Sequence, residues 1–95
     1  MNKAGLIEAV AGRALLGRKE AEAAVEAVFA EIIETLKKGE EASVVGFGVF
    51  APSRRKAKMG RNPHTGEPVP VPARVVATFR AGKHVKKALA SVPLQ

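Results

Sequence analysis

The sequence predicts an α+β protein with two N-terminal helices, a three-stranded antiparallel sheet carrying a long β-ribbon arm, and a short C-terminal helix. Three observations predict it. Apolar residues recur at helical spacing up to Lys38 and at strand spacing after Gly39. Pro68, Pro70 and Pro72 are alternate residues, which suits one edge of a ribbon. Glycines stand where the period changes, at Gly17, Gly39, Gly46, Gly48 and Gly82.

Asn2 caps a helix over about Lys3 to Ala14, whose apolar face is Leu6, Ile7, Val10, Ala11 and Ala14. Gly5 and Gly12 weaken it. Gly17 marks a turn, and Glu20 stands where a capping-box acid reaches back, although Gly17 has no side chain to complete the box. The second helix runs from about Arg18 to Lys38. Ala21, Ala24, Val25, Val28, Phe29, Ile32, Ile33 and Leu36 make its apolar stripe, while Glu22, Glu26, Glu31 and Glu34 fall elsewhere. Lys37 and Lys38 suit the negative end of the dipole, and Gly39 stops the helix. Phe29, at helical spacing, is a core residue.

Ala42 to Val45 reads as a short strand, Gly46-Phe47-Gly48 as a tight turn, and Val49-Phe50-Ala51 as the start of a second strand. "GFG" is no phosphate-cradling loop: the spacing is wrong and no helix follows. Arg74 to Arg80 is a strand ended by Gly82. Lys83 to Ala90 is a short basic helix, which Pro93 keeps from running on, and residues 91–95 are a frayed tail.

Between Pro52 and Pro72 the core-type pattern nearly disappears, and "GRNPHTGEPVPVP", Gly60 to Pro72, holds four prolines and two glycines. Two readings compete: a disordered basic linker and a protruding hairpin turning at Asn62 to Gly66. In a strand, alternate N–H groups point to the same side. Prolines at 68, 70 and 72 therefore remove donors from one edge and leave Val69 and Val71 free to pair. That spacing favours the ribbon, which at about 3.3 Å per residue over ~10 residues would project roughly 30 Å.

A chain of 95 residues, 46% hydrophobic and 26% charged, fits one domain. Its parts are a helical region (1–39), a β-region with its arm (40–82, arm about 52–75), the last helix (83–90) and the tail (91–95). Without the arm, about 70 residues remain, a size at which a core rarely suffices unaided. With no cysteine there is no disulfide to help. A dimer that shares its core is the expected solution, with Phe29, Phe47, Phe50 and Phe79 in that core. No apolar run approaches the ~20 residues of a bilayer span, and Met1 to Ala11 lacks the layout of a signal peptide. These observations predict a cytoplasmic protein with no membrane partner.

Charge is unevenly placed. Residues 1–40 carry six Lys/Arg against seven Glu, a net of −1; residues 41–95 carry ten Lys/Arg against two Glu, a net of +8. With a pI near 10.3, this is the footprint of a nucleic-acid binder, the competing readings being a solubility charge or an affinity for anionic lipid. Arg54, Arg55, Lys56, Lys58 and Arg61 form one cluster, and no acid interrupts residues 42–66. Arg80, Lys83, Lys86 and Lys87 form a second. Catalytic chemistry finds no support. His64 and His84 have no ligand-spaced partners, Thr65 and the serines have no evident base, and Asp and Tyr are absent. No catalytic residue, metal or cofactor is expected. Pro63 reads either as an ordinary turn proline or as an apolar wedge between base pairs.

The run "GFGVF" followed by "RKAKMGRNPHTGE", with "MNKAGLIEAVA" at the start and "FRAGKHVKKAL" near the end, resembles the HU/integration-host-factor family of bacterial histone-like DNA-bending proteins, HU above all. The likeness covers about residues 1–90. It implies an intertwined dimer with a helical base, a β-saddle and two arms that follow the minor groove. Pro63 would intercalate at each tip; this family is itself a known example of minor-groove architectural binding, so the wedge comes from the resemblance and not from the residues. The resemblance implies DNA contacts from Lys3, Arg54, Arg55, Lys56, Lys58, Arg61, Asn62, Pro63, Thr65, Arg74, Arg80, Lys83 and Lys86, with Glu26 competing for Lys3. The implied partner is double-stranded DNA, preferably bent, nicked or gapped, in a nucleoid-associated location. The dimer partner is a second copy or a paralogue. Alternatives are a site-specific subunit of integration host factor, an RNA-associated structural protein and a protein-interaction module. Ser53 stands where the family often has a basic residue, and Pro52, Pro68 and Pro70 make this arm richer in proline than is usual.

Overall fold

A computed structural model describes residues 1–94; Gln95, the end of the predicted tail, lies outside the described residues. The chain divides into two compact units, Met1–Thr35 and the part from Leu36 onward.

The first unit holds α1 (Lys3–Ala14) and all but the last two residues of α2 (Arg18–Lys37). Asn2 caps α1 as its position predicts, its Oδ1 accepting the Gly5 N–H at 2.8 Å. The turn out of α1 is made by Leu15 (φ 56), not by Gly17. A left-handed leucine costs about 1–2 kcal/mol, and the Leu16 N–H helps to offset it by closing on the Ala11 carbonyl at 3.0 Å. At the far end Gly39 takes φ 79, and its N–H reaches the Leu36 carbonyl. Ile7, Ala21 and Val25 are buried, with Leu6, Val10 and Ala11 packed against them. The apolar stripe of α2 runs beyond this core. α1 has 12 residues and α2 has 20, so α1 cannot cover the distal half of the stripe. Phe29 is consequently 46% exposed in the single chain, with Val28 and Ile33 also exposed.

The second unit holds β1 (Ala42–Val44), β2 (Gly48–Arg55), β3 (Lys58–Arg61), β4 (Pro68–Val71), β5 (Arg74–Ala81) and α3 (Lys83–Ala90). β1, β2 and β5 form an antiparallel sheet in the order β1-β2-β5, and β3 and β4 form a separate ribbon. Val45 belongs to the turn and not to the strand. The Phe47 N–H donates to the Val44 carbonyl at 3.0 Å, and Gly46 takes φ 84 at the third position of that turn, where a type II turn needs a left-handed residue. Phe50 lies opposite Phe79 with ring centroids 4.8 Å apart, and Phe47 stands 5.5 Å from Phe79. Gly48 is buried beneath this cluster: a Cβ there would lie 2.5 Å from the Phe79 ring and from the Arg80 carbonyl.

β1 ends opposite Phe50, so beyond that point β2 and β5 continue as a two-stranded ribbon. Pro52 sits just past this end, opposite Ala77, and its missing donor falls on the edge that β1 has left. Pairing stops after Arg55–Arg74 and resumes at Lys58–Val71. The disorder reading of residues 52–72 therefore gives way to an ordered arm. One expectation is corrected: Pro68 and Pro70 lie in the return strand, but Pro72 lies in the interruption.

Candidate nucleic-acid interface

The tip of the arm is a closed loop. The Asn62 N–H donates to the Glu67 carbonyl at 2.9 Å, and the Gly66 N–H to the Asn62 carbonyl at 2.7 Å. Asn62 Oδ1 accepts the His64 N–H at 2.9 Å, an Asx turn, and Thr65 Oγ1 accepts the Glu67 N–H at 3.3 Å. Gly66 takes φ 75 to complete the reversal. Pro63 is exposed on this loop at a position where the loop asks nothing of its nitrogen. The loop thus holds an apolar ring at the end of the arm with its direction fixed by neighbours. Arg61 and Thr65, predicted as contacts, also serve the loop: Arg61 Nη1 donates to the Gly66 carbonyl at 3.0 Å.

The predicted cations are exposed, and register sorts them. Opposed residues share a face of a sheet and alternate along it. Val49–Arg80, Ala51–Thr78, Ser53–Val76 and Arg55–Arg74 therefore lie on one face; Phe50–Phe79, Pro52–Ala77 and Arg54–Val75 lie on the other. Arg54 and Arg55 thus point to opposite faces, and Arg54 does not replace the basic side chain that Ser53 lacks. Arg54, Arg55, Lys56 and Arg74 line an open notch of about 360 Å³ where the pairing is interrupted. Lys58 and Arg61 stand farther out on β3. On α3, Lys83, Lys86 and Lys87 share one side at i, i+3 and i+4. Lys87, named in the second basic cluster but not among the implied DNA contacts, lies one turn from Lys83 on that side.

Two predicted contacts are already paired. Lys3 Nζ lies 2.7 Å from Glu26 Oε1, the competition the sequence suggested, and the hydrogen bond and charge of Glu26 raise the Lys3 pKa above its ordinary value. Arg80 Nη2 lies 3.6 Å from Glu41 Oε2. Glu41 was missed, because only strand pairing brings it beside Arg80. Both pairs are exposed, where an ion pair holds its partners only weakly. Among the described residues no group of His, Cys, Asp and Glu could hold a metal ion, and no helix is long and apolar enough to cross a membrane.

A family model described as bacterial DNA-binding protein matches residues 1–90. The chain belongs to the bacterial DNA-binding protein family. Within it, the chain is 49% identical over 89 residues to the DNA-binding protein HU of Staphylococcus aureus, covering 94% of this chain and 99% of the relative. The DNA-binding protein HU of Geobacillus stearothermophilus is 47% identical over the same shares. Among solved structures, an Anabaena HU–DNA cocrystal structure superposes with a TM-score of 0.88 at 42% identity, covering 96% of this chain and 99% of the other. A Thermotoga maritima HU mutant gives a TM-score of 0.69 at 31% identity, covering 94% and 99%.

Proposed function

We propose that the chain is an HU-type architectural protein that binds duplex DNA with little sequence preference and bends it. The observation that carries this reading is the arm: a ribbon with cations on both faces that ends in a loop holding Pro63 exposed. Phosphates are met by Arg55, Lys58, Arg74, Arg80, Lys83 and Lys86, with Lys3, Arg54 and Lys56 adding to the field. The arm lies in the minor groove, where Pro63 enters between two base pairs. Each such kink costs on the order of a few kcal/mol of stacking, offset by counterion release. Arg61 and Asn62 reach DNA only from a loop whose shape they also hold. Minor-groove edges distinguish sequences poorly, so preference falls on DNA that is already deformed.

The functional unit is a dimer. Phe29, Val28 and Ile33 in the first unit, and Phe47 and Phe79 in the second, leave more large apolar surface open than a stable monomer of this size carries. Val45, Phe47, Val85 and Leu89 line a further apolar groove that a second copy fills.

Titration of intact, nicked and gapped duplexes of random sequence, and of duplex RNA, across a salt series tests the reading. Nicked and gapped DNA bind more tightly than intact DNA, and log affinity falls by roughly 0.9 per log salt for each phosphate neutralised. Equal affinity for duplex RNA, or strong discrimination between DNA sequences, contradicts it.

A further inference from the structure

The base of the arm and its outer ribbon share one register but not one hydrogen-bond phase. Arg55 opposes Arg74, and Lys58 opposes Val71, so Lys56 and Ala57 face Ala73 and Pro72 with no residue gained on either strand. In an antiparallel ladder, opposed pairs alternate between pairs that exchange hydrogen bonds and pairs that do not. At the base, the Gly82 N–H donates to the Phe47 carbonyl at 2.7 Å, so the bonded residues of β2 are Val49, Ala51, Ser53 and Arg55. At the tip, the Asn62 N–H donates to the Glu67 carbonyl at 2.9 Å, so the bonded residues of β3 are Gly60 and Lys58. Odd-numbered residues are bonded below the interruption and even-numbered residues above it.

The prolines account for this inversion. Had the base phase run on, the bonded pairs would be Ala57–Pro72, Met59–Pro70 and Arg61–Pro68. Each would require an N–H that proline lacks. In the phase observed, Val69 and Val71 supply the donors, and Pro68 and Pro70 face outward. A continuous ladder would add a bonded pair at the interruption, so without the prolines nothing keeps it open. The inversion has a consequence for the faces. In L-peptide strands, residues whose N–H points at the partner strand place their side chains on one face. Lys58, Gly60 and Asn62 are therefore carried onto the face that continues from Arg55, Arg74 and Arg80. Met59 and Arg61 go to the other face, opposite Pro70 and Pro68.

We propose that Pro68, Pro70 and Pro72 act as a phase lock that fixes which face of the arm carries Lys58, Gly60 and Asn62, and so the rotational setting of Pro63 at the tip. They are positioning residues and need not touch DNA. The functional half of this inference rests on the bending reading above; the structural half does not.

The test compares four proteins, each bound to a nicked duplex at low salt: wild type, Pro63→Ala, the triple variant Pro68→Ala/Pro70→Ala/Pro72→Ala, and a variant with the prolines shifted by one residue, Pro68→Val/Val69→Pro/Pro70→Val/Val71→Pro/Pro72→Val. Cross-strand Hα–Hα contacts by NMR report the phase, because only non-bonded pairs bring their Cα atoms to about 4.5 Å. Energy transfer across the duplex reports the bend. Wild type shows contacts at 59/70 and 61/68. The triple and shifted variants move them to 58/71 and 60/69 and lose the bend to the level of Pro63→Ala. Their affinity stays within about threefold of wild type, because no charge has changed. A variant that keeps the wild-type contacts, or shows neither set, or bends fully with the shifted set overturns the lock. A Pro63→Ala protein that bends like wild type rejects the wedge, while the contact sets still decide the lock.

Discussion

Glu41 and Glu26 show how far single residues tune this surface. Each occupies a cation that the proposed interface needs, Arg80 and Lys3 respectively. Glu41→Gln removes the carboxylate that competes for Arg80, so DNA affinity should rise at every point of the salt series, whose slope is about 0.9 per phosphate. Arg80→Ala should flatten the slope, and no change in either variant would place Arg80 outside the interface. For Lys3, the raised pKa sets a direction with pH. The Lys3–Glu26 pair stabilises the helical unit in full below the ordinary lysine value and loses that contribution as pH rises through the raised value. Melting wild type and Glu26→Gln at about pH 8 and about pH 11 checks this, the ordinary lysine pKa being about 10.4. The gap between the two proteins should narrow at the higher pH, and a gap that widens contradicts the assignment. At this scale the sequence was half legible. Runs such as Arg54-Arg55-Lys56 declare their charge, but the competition of Glu41 for Arg80, or the hold of the Gly66 carbonyl on Arg61, depends on which strands meet and how a loop closes.

The elements were more legible than their joints. Helical periodicity located α1 and α2 to within a residue, because a stripe at i, i+3 and i+4 repeats over many turns. The β1–β2 turn was found from its glycines, and it bears a sharp test. Gly46 is left-handed, and a Cβ there would stand 2.8 Å from His84 Nδ1. Gly46→Ala should cost roughly 1–2 kcal/mol from the backbone alone, lowering Tm by roughly 4–8 °C per kcal/mol. Gly66 is also left-handed, but a Cβ there meets nothing within 4 Å. Gly66→Ala should leave the global Tm nearly unchanged, since the outer ribbon opens locally, and should weaken bending by disturbing the Pro63 loop. Equal Tm losses in the two variants would refute this division. The interruption in the arm was not legible. Proline spacing announced a ribbon edge, but hydrogen-bond phase emerges only once the register of both ladders is known. The left-handed Leu15 likewise carries no sequence signal.

At the scale of the whole molecule, the single chain leaves much large apolar surface open. Among the described residues only Ile7, Ala21 and Val25 are buried hydrophobic side chains, while Phe29, Phe47 and Phe79 stay about half exposed. Sedimentation at micromolar concentration should find a dimer, and a folded monomer there would contradict the shared core. On the proposed reading a dimer would bring two arms to one duplex, so that two wedges would add their kinks. On the proposed reading, Pro63 converts binding into bending. The most direct measurement is ligase-mediated circularisation of a short duplex, shorter than the ~150 bp persistence length of DNA, in the presence of wild type or Pro63→Ala at concentrations that saturate the DNA equally. Wild type should raise the yield of small circles, and Pro63→Ala should bind without doing so. Equal circle yields from the two proteins would contradict it.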